Sequence, residues 1–473
     1  MKIIRIFLVS TILFLQATKI VEATPNKTLA RPNIVFILAD DLGYGDLGCY
    51  GHPYAKTPAI DKLAKEGTIF ESFYASGVTS SPSRTAFMTG SYPATLKDLP
   101  KDHGLADNQT ITKFLKDNGY KTGHFGKWHL GPNDTSGTYG IDEISETIDK
   151  VSKMKVVQND TRGRDAVIVD KALKFIENNK NNPFYVNIWT LTSHHPVGAV
   201  KGLKNEFPHL NIDPSDFPRY MQVKLQEMES VYGPLDSRMQ IYLSEIYALD
   251  QQVKRVLDKI DQLDLRNNTI VVFASDQGAN GSTSLQPETA KKLNKNIKNK
   301  KEKKGFTSAR TDLLGNLLGY NGPFRGGKHN YYEGGVRIPF IIRWPNKVPA
   351  GVRNSSIIAA VDWLPTLCHI AGAKYNPKKI DGENVSAAWF GANQDRSKPL
   401  FWKVESLKKD SAVRFGRWKY IVNSDGGGEL YDLYKDPQEM TNVSKDNPEA
   451  ASQMHEILRE WVDSLPVKNG GKK

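Results

Sequence analysis

The sequence predicts an α/β chain: a large, mostly parallel sheet sandwiched by helices, then a smaller C-terminal α+β domain of antiparallel strands plus a helix. Three observations carry this. Two apolar runs, Pro32–Asp41 (PNIVFILADD) and Thr269–Asp276 (TIVVFASD), show no alternation, the mark of strands buried on both faces. Helical patterns lie between such runs, as parallel crossovers require. Beyond residue 400 the pattern changes to short strands with Gly-rich turns.

Taken in order, Met1–Ala23 has Lys2 and Arg5 ahead of the apolar run Ile6–Leu15. It reads as a cleaved secretory signal, too short to anchor the chain. The mature protein is therefore expected to be periplasmic or secreted, without stable membrane insertion. After Pro32–Asp41 come helices over Asp61–Glu66, behind Pro58, and Thr110–Asn118, stopped by Gly119. Longer helices are expected over Arg164–Asn178 and Leu243–Gln262. Phe184–Leu191 (FYVNIWTL) is a third strand, and Val336–Pro345 (VRIPFIIRWP) follows Thr269–Asp276. Leu400–Val404, Ser411–Val422 and Glu429–Asp432 read as short strands, and Pro448–Leu465 as a closing helix. The expected domains are a signal peptide (1–23), a large α/β domain (24–375) and a C-terminal subdomain (376–473).

Composition narrows the function classes. Lys and Arg number 64 against 52 Asp and Glu, a net charge of +12, which suits an anionic ligand. Part of the excess is the run Lys291–Lys304, a solvated loop or a patch for a polyanion. No nucleic-acid partner is expected. Only Cys49 and Cys368 are present, with no CxxC spacing; two free thiols are expected, and zinc-finger and thioredoxin-like readings fail.

Chemistry concentrates beyond strand ends, where ligand sites of open parallel sheets lie. Asp40 and Asp41 are adjacent carboxylates that repel unless a cation neutralises them. Asp276-Gln277-Gly278 repeats that arrangement, and the four side chains suit calcium or magnesium. A single Asp at a strand end is equally a helix cap. Ser80-Ser81-Pro82-Ser83-Arg84 places Ser80 just before a helix N-terminus, where an anion is favoured, or makes it a plain cap. In Gly126-Lys127-Trp128-His129-Leu130-Gly131, Lys127 and His129 would share one face of an extended segment, able to bind an anion and move a proton. His194-His195-Pro196 adds an imidazole pair, catalytic or merely structural. Gly326-Gly327-Lys328 precedes Glu333-Gly334-Gly335-Val336-Arg337; its glycines allow close backbone approach and Lys328 offers a point charge.

From about Pro32 to the C-terminal helix the chain resembles the type I, formylglycine-dependent sulfatases of the alkaline phosphatase superfamily, and within them the bacterial polysaccharide sulfatases of the Ser type. The resemblance rests on Ser80-x-Pro82-x-Arg84 with Thr89-Gly90, on GKWHLG at Gly126–Gly131, and on Asp40-Asp41, Asp276-Gln277 and GGK…EGGVR in the family's order. Glu429–Leu433 with Asp436-Pro437 and Asn442 is similar to the family's closing motif.

The resemblance implies that a radical-type maturation enzyme oxidises Ser80 to formylglycine. Its hydrate would attack sulfur with one hydroxyl and expel sulfate through the second. It also implies one Ca2+ held by Asp40, Asp41, Asp276, Gln277 and modified Ser80. Arg84 and Lys127 would orient that side chain, His129 would be the base, Lys328 and His194 would bind sulfate, and His194, or else His195, would be the leaving-group acid. Two positions depart from the pattern: Ser80 stands where most relatives carry Cys, and Gln277 where Asn or His is usual. The expected substrate is a sulfated algal polysaccharide or its oligosaccharides, of ulvan or carrageenan type. Segments Val197–Arg238 and Gly281–Asn321 are expected to rim the pocket. The rival readings are a phosphate-ester hydrolase of the same superfamily and a non-catalytic polyanion-binding homologue.

Overall fold

A computed structural model describes residues 31–97, 104–105, 107–131, 135–145, 160–194, 197–198, 200, 202–232, 234–280, 318–403, 410–423 and 426–467. The expected signal segment 1–23, His195, the lysine run 291–304 and most of the insert 281–321 lie outside the described residues.

The main sheet is mixed and eight-stranded. Its strands are β1 (Asn33–Ala39), β2 (Thr68–Phe70), β4 (Lys121–Gly126), β5 (Glu143–Ser145), β6 (Phe184–Trp189), β7 (Thr269–Ser275), β8 (Phe340–Arg343) and β9 (Val352–Asn354); β3 (Phe73–Tyr74) pairs apart with β10 (Ile358–Ala359). The order is β5-β4-β6-β1-β7-β8-β2-β9. Five of these strands, β5-β4-β6-β1-β7, run parallel. β1 lies at the centre with all seven residues buried, which is why its sequence cannot alternate. Alternate residues feed two cores: Ile34, Phe36 and Leu38 face one and Val35 and Ile37 the other. Helices Ala166–Asn178 and Leu235–Gln262 cover the second face; Ser80–Thr89, Ile111–Asp117 and Trp363–Ala371 cover the first.

Several expectations change on folding. The run Val336–Pro345 yields only β8, antiparallel to β7, and Glu333–Val336 is a short helix rather than a strand entry. Lys127–His129 is not strand: β4 stops at Gly126, and His129 has φ 58°. Lys127 and His129 therefore do not share a face by strand alternation. Ser80 is the first residue of its helix, and Thr79 is the cap. The segment Ser411–Val422 is a hairpin of β12 (Ser411–Phe415) and β13 (Trp418–Val422), turning at Gly416 with φ 56°, the left-handed backbone that glycine tolerates. The helix Arg219–Tyr232 lies in a segment whose sequence offered no motif. Cys49 and Cys368 are both free, as expected; of the two buried thiols the sequence suggests, Cys368 is buried and Cys49 only partly so.

With β11 (Leu400–Trp402) and β14 (Gly428–Asp432), the hairpin forms an antiparallel sheet in the order β11-β12-β13-β14. The helix Pro448–Asp463 covers it through Met454 and Leu458. Buried charges lock this sheet to the main body. Lys419 on β13 donates to Glu333 and pairs with Glu439, each at 2.9 Å, and all three side chains are 0% exposed. Tyr74 donates to Glu333 (2.6 Å), and the Trp402 indole donates to the Ala75 carbonyl (2.7 Å). The Glu of the EGGVR motif is thus a bridge to the C-terminal sheet. Replacing Lys419 by Met leaves Glu439 buried without its cation and Glu333 with only Arg337, 3.4 Å away, so we expect a loss of about 3–5 kcal/mol, read from chemical unfolding midpoints.

Candidate active site

The site forms where β4, β6, β1 and β7 end. Asp40 and Asp41 follow β1 and Asp276 follows β7. The register Ala39↔Ser275 places these carboxylates side by side. Asp41 takes φ 62°, and its N–H donates to Asp276 Oδ1 (3.0 Å). Asp40, Asp41 and Asp276 each offer an oxygen within 4.8 Å of the others, and all are buried.

Ser80 enters at the first turn of its helix, where free N–H groups and Pro82, which needs no partner for its nitrogen, cost nothing. Its Oγ donates to Asp40 Oδ1 (3.0 Å) and accepts from Lys127 Nζ (2.9 Å) and Gln277 Nε2 (3.2 Å). Lys127 also donates to Asp40 Oδ2 (2.6 Å), and Lys328 to Asp41 Oδ2 (2.7 Å). Arg84, one helical turn after Ser80, donates through Nε (3.1 Å) and Nη2 (2.8 Å) to Asp276 Oδ2 and through Nη1 to the Lys127 carbonyl (3.0 Å). Its guanidinium stacks 4.9 Å from the Trp189 ring.

Three cations thus meet three carboxylates. Burial alone would raise Asp40, but Lys127, His194, Arg84 and Lys328 together hold it well below the usual carboxylate range. Asp276 goes the other way, to about 6, through burial and then the repulsion of Asp40. His194 Nε2 lies 3.9 Å from Asp41 Oδ2, with its ring 29% exposed, and burial lowers its pKa. His129 is exposed just past Lys127.

The donor set fits a hard cation. Every candidate ligand is an oxygen, and Gln277 turns Nε2 toward Asp41 while its buried Oε1 has no hydrogen-bond partner among the described residues. Turning the amide over would bring a carbonyl oxygen among the carboxylates, where only a cation would reward it.

Glycines make the assembly possible. A Cβ on Gly126 would sit 1.9 Å from the Trp189 carbonyl, and one on Gly278 would sit 1.8 Å from that of Gly334. The first glycine lets Lys127 N–H donate to Trp189 (2.9 Å); the second brings the Gln277 turn against the Glu333–Val336 helix. Sequence reasoning missed Trp189 under Arg84, because an aromatic in a buried strand has no signal beyond packing.

A family model for sulfatases matches residues 32–373. The chain belongs to the sulfatase family. It is a sulfuric ester hydrolase. A model for the C-terminal region of N-sulphoglucosamine sulphohydrolase matches residues 325–465 of this sulfatase. The sulfatase is 28% identical to the N-acetylgalactosamine-6-O-sulfatase of Bacteroides thetaiotaomicron, over 90% of this chain and 92% of that one. It is 30% identical to arylsulfatase G of Mus musculus, covering 92% and 87%. Its fold is similar to the crystal structure of Ps i-CgsB in complex with k-i-k-neocarrahexaose, with TM-score 0.70, 25% identity and coverage of 91% and 93%. Among the described residues no helix is long and apolar enough to cross a membrane.

Arg84 is the only group among the described residues that donates to Asp276 Oδ2 through two nitrogens, and both partners are fully buried. Arg84→Gln should therefore lower stability by about 3–5 kcal/mol, read by thermal unfolding, with a loss of sulfatase activity.

Proposed function

We propose that this sulfatase is exported and releases sulfate from a sulfated algal polysaccharide or its oligosaccharides, of ulvan or carrageenan type. It would act through formylglycine made from Ser80 by a radical-type maturation enzyme, with one calcium. The observation that carries this is the position of Ser80 Oγ, in reach of Asp40, Lys127 and Gln277 at once beside a buried carboxylate triad.

Asp40, Asp41, Asp276, Gln277 and the modified Ser80 would hold the cation, which would supply positive charge to the sulfate oxygens and the nucleophile. Added to three carboxylates already matched by Arg84, Lys127 and Lys328, a divalent ion leaves the site with excess positive charge, complementary to a sulfate monoester. The hydrated aldehyde supplies two hydroxyls on one carbon, one to attack sulfur and one to lose a proton as sulfate departs. Lys127, bridging Asp40 and Ser80, fixes the modified side chain, and Arg84 holds Lys127 through its carbonyl. Lys328 reaches a sulfate oxygen. His129 takes the proton of the second hydroxyl. His194, partly exposed beside Asp41, donates a proton to the leaving sugar oxygen. A carrageenan fragment accompanies the Ps i-CgsB relative; the Bacteroides relative is named for N-acetylgalactosamine 6-O-sulfate, so that sugar belongs in any substrate screen.

After expression with a Ser-type maturation enzyme, the Ser80 peptide should lose about two mass units, the difference between a primary alcohol and its aldehyde. That protein should release sulfate from algal oligosaccharides, whereas an unmodified Ser80 acting on phosphate esters would replace this reading. Calcium should raise the thermal midpoint of chelator-treated protein, by about 2.7 kcal/mol of stabilisation at a hundredfold excess over Kd, and Asp41→Asn should abolish the shift. A shift with zinc and none with calcium would overturn the ligand assignment.

A further inference from the structure

The loop that carries His194 is fastened on two sides. Toward the carboxylates, Asp40 N–H donates to the Thr192 carbonyl (2.9 Å), Ser193 N–H to the Asp40 carbonyl (2.6 Å) and Ser193 Oγ to the Asp41 carbonyl (3.1 Å). These bonds tie residues 192–193 to the end of β1. On the far side a second set holds the same loop from two helices. Asp165, which precedes the helix Ala166–Asn178, accepts the Leu191 N–H (2.7 Å). Arg164 Nε donates to Thr192 Oγ1 (3.3 Å). Glu245, within the helix Leu235–Gln262, accepts the Gly198 N–H (2.8 Å) and meets Arg164 Nη2 at 3.2 Å. Glu245 is 4% exposed and lies on no path that the mechanism uses.

An Arg–Glu pair with its carboxylate buried is a costly way to gain stability, since desolvation offsets most of its attraction. Its placement gives it another use. His194 stands between Ser193, tied to the metal-binding strand, and Gly198, tied to Glu245. A proton donor must stay within hydrogen-bond reach of the leaving oxygen, and small displacements of such a group cost large factors in rate.

We propose that Glu245, braced by Arg164, is a positioning residue that holds the His194 loop so that His194 can protonate the leaving group. This rests on the reading of His194 as the leaving-group acid.

The test is the dependence of kcat/KM on the leaving group, using full-length matured enzyme and para-nitrophenyl, phenyl and para-methoxyphenyl sulfates. The phenol and para-methoxyphenol leaving groups are both far less acidic than para-nitrophenol and so need protonation more. The wild type should lose little rate along the series, and His194→Ala should lose rate steeply. Glu245→Ala should behave like a milder His194→Ala, with a loss of about tenfold or more on the para-methoxyphenyl ester but under about threefold on the para-nitrophenyl ester. Glu245→Gln, which keeps an acceptor for Gly198, should recover most of that loss. Thr192→Val removes the Arg164 acceptor with little change in volume; it should steepen the series modestly and stands in if Glu245→Ala fails to fold. Uniform losses across the series in the Glu245 and Thr192 variants, with a steep series in His194→Ala, would overturn the proposal and leave the acid assignment intact. A His194→Ala series as shallow as the wild type would overturn the acid assignment itself, and the proposal with it.

Discussion

Asp40, Asp41 and Asp276 stand within 4.8 Å of one another with almost no access to water, and every feature of the site answers that concentration of negative charge. Alone, three buried carboxylates would protonate or push the strand ends apart. Arg84, Lys127 and Lys328 reach in from three separate segments to oppose them. Asp40 and Lys127, one of these ion pairs, also hold Ser80 Oγ, so Ser80 is positioned by groups that balance the charge. The placement of Ser80 and the charge balance are one construction.

That construction depends on the sheet. β1 and β7 are adjacent and parallel and in register to their last residues, so their carboxylates emerge at one level. β6 and β4 extend the same edge and deliver His194 and Lys127. Close approach of these ends leaves no room for a Cβ at Gly126 or Gly278. The motif glycines are therefore packing requirements of a site assembled from strand ends, not flexible hinges.

A second buried charge cluster, Glu333–Lys419–Glu439, ties the C-terminal sheet to the segment that carries Lys328. Lys328 N–H donates to the Ala279 carbonyl (3.0 Å) and His329 N–H to that of Val78 (3.1 Å), so this segment also touches the Gln277 turn and the approach to Ser80. The position of Lys328 is therefore set from three sides, one of them belonging to the smaller sheet.

The sequence by itself determined much of this protein. Continuous apolar runs at Asn33–Ala39 and Thr269–Ser275, with helical patterns between them, read as buried strands of a parallel sheet, and in such a sheet the motif residues at their C-terminal ends share one edge. Tertiary structure alone decided the rest. β8 runs antiparallel because the short helix Glu333–Val336 delivers it from the site end of the sheet, and a run of apolar residues carries no sign of direction. His129 leaves the strand because β4 stops at a glycine with φ 109°, which alternation cannot reveal. Arg84 finds Asp276 at a separation of 192 residues, and Glu245 finds Gly198 across 47. Periodicity reports which face of an element is buried, because that is settled within a few residues. It says nothing of which distant side chain will lie opposite, because that is settled only when the layers close.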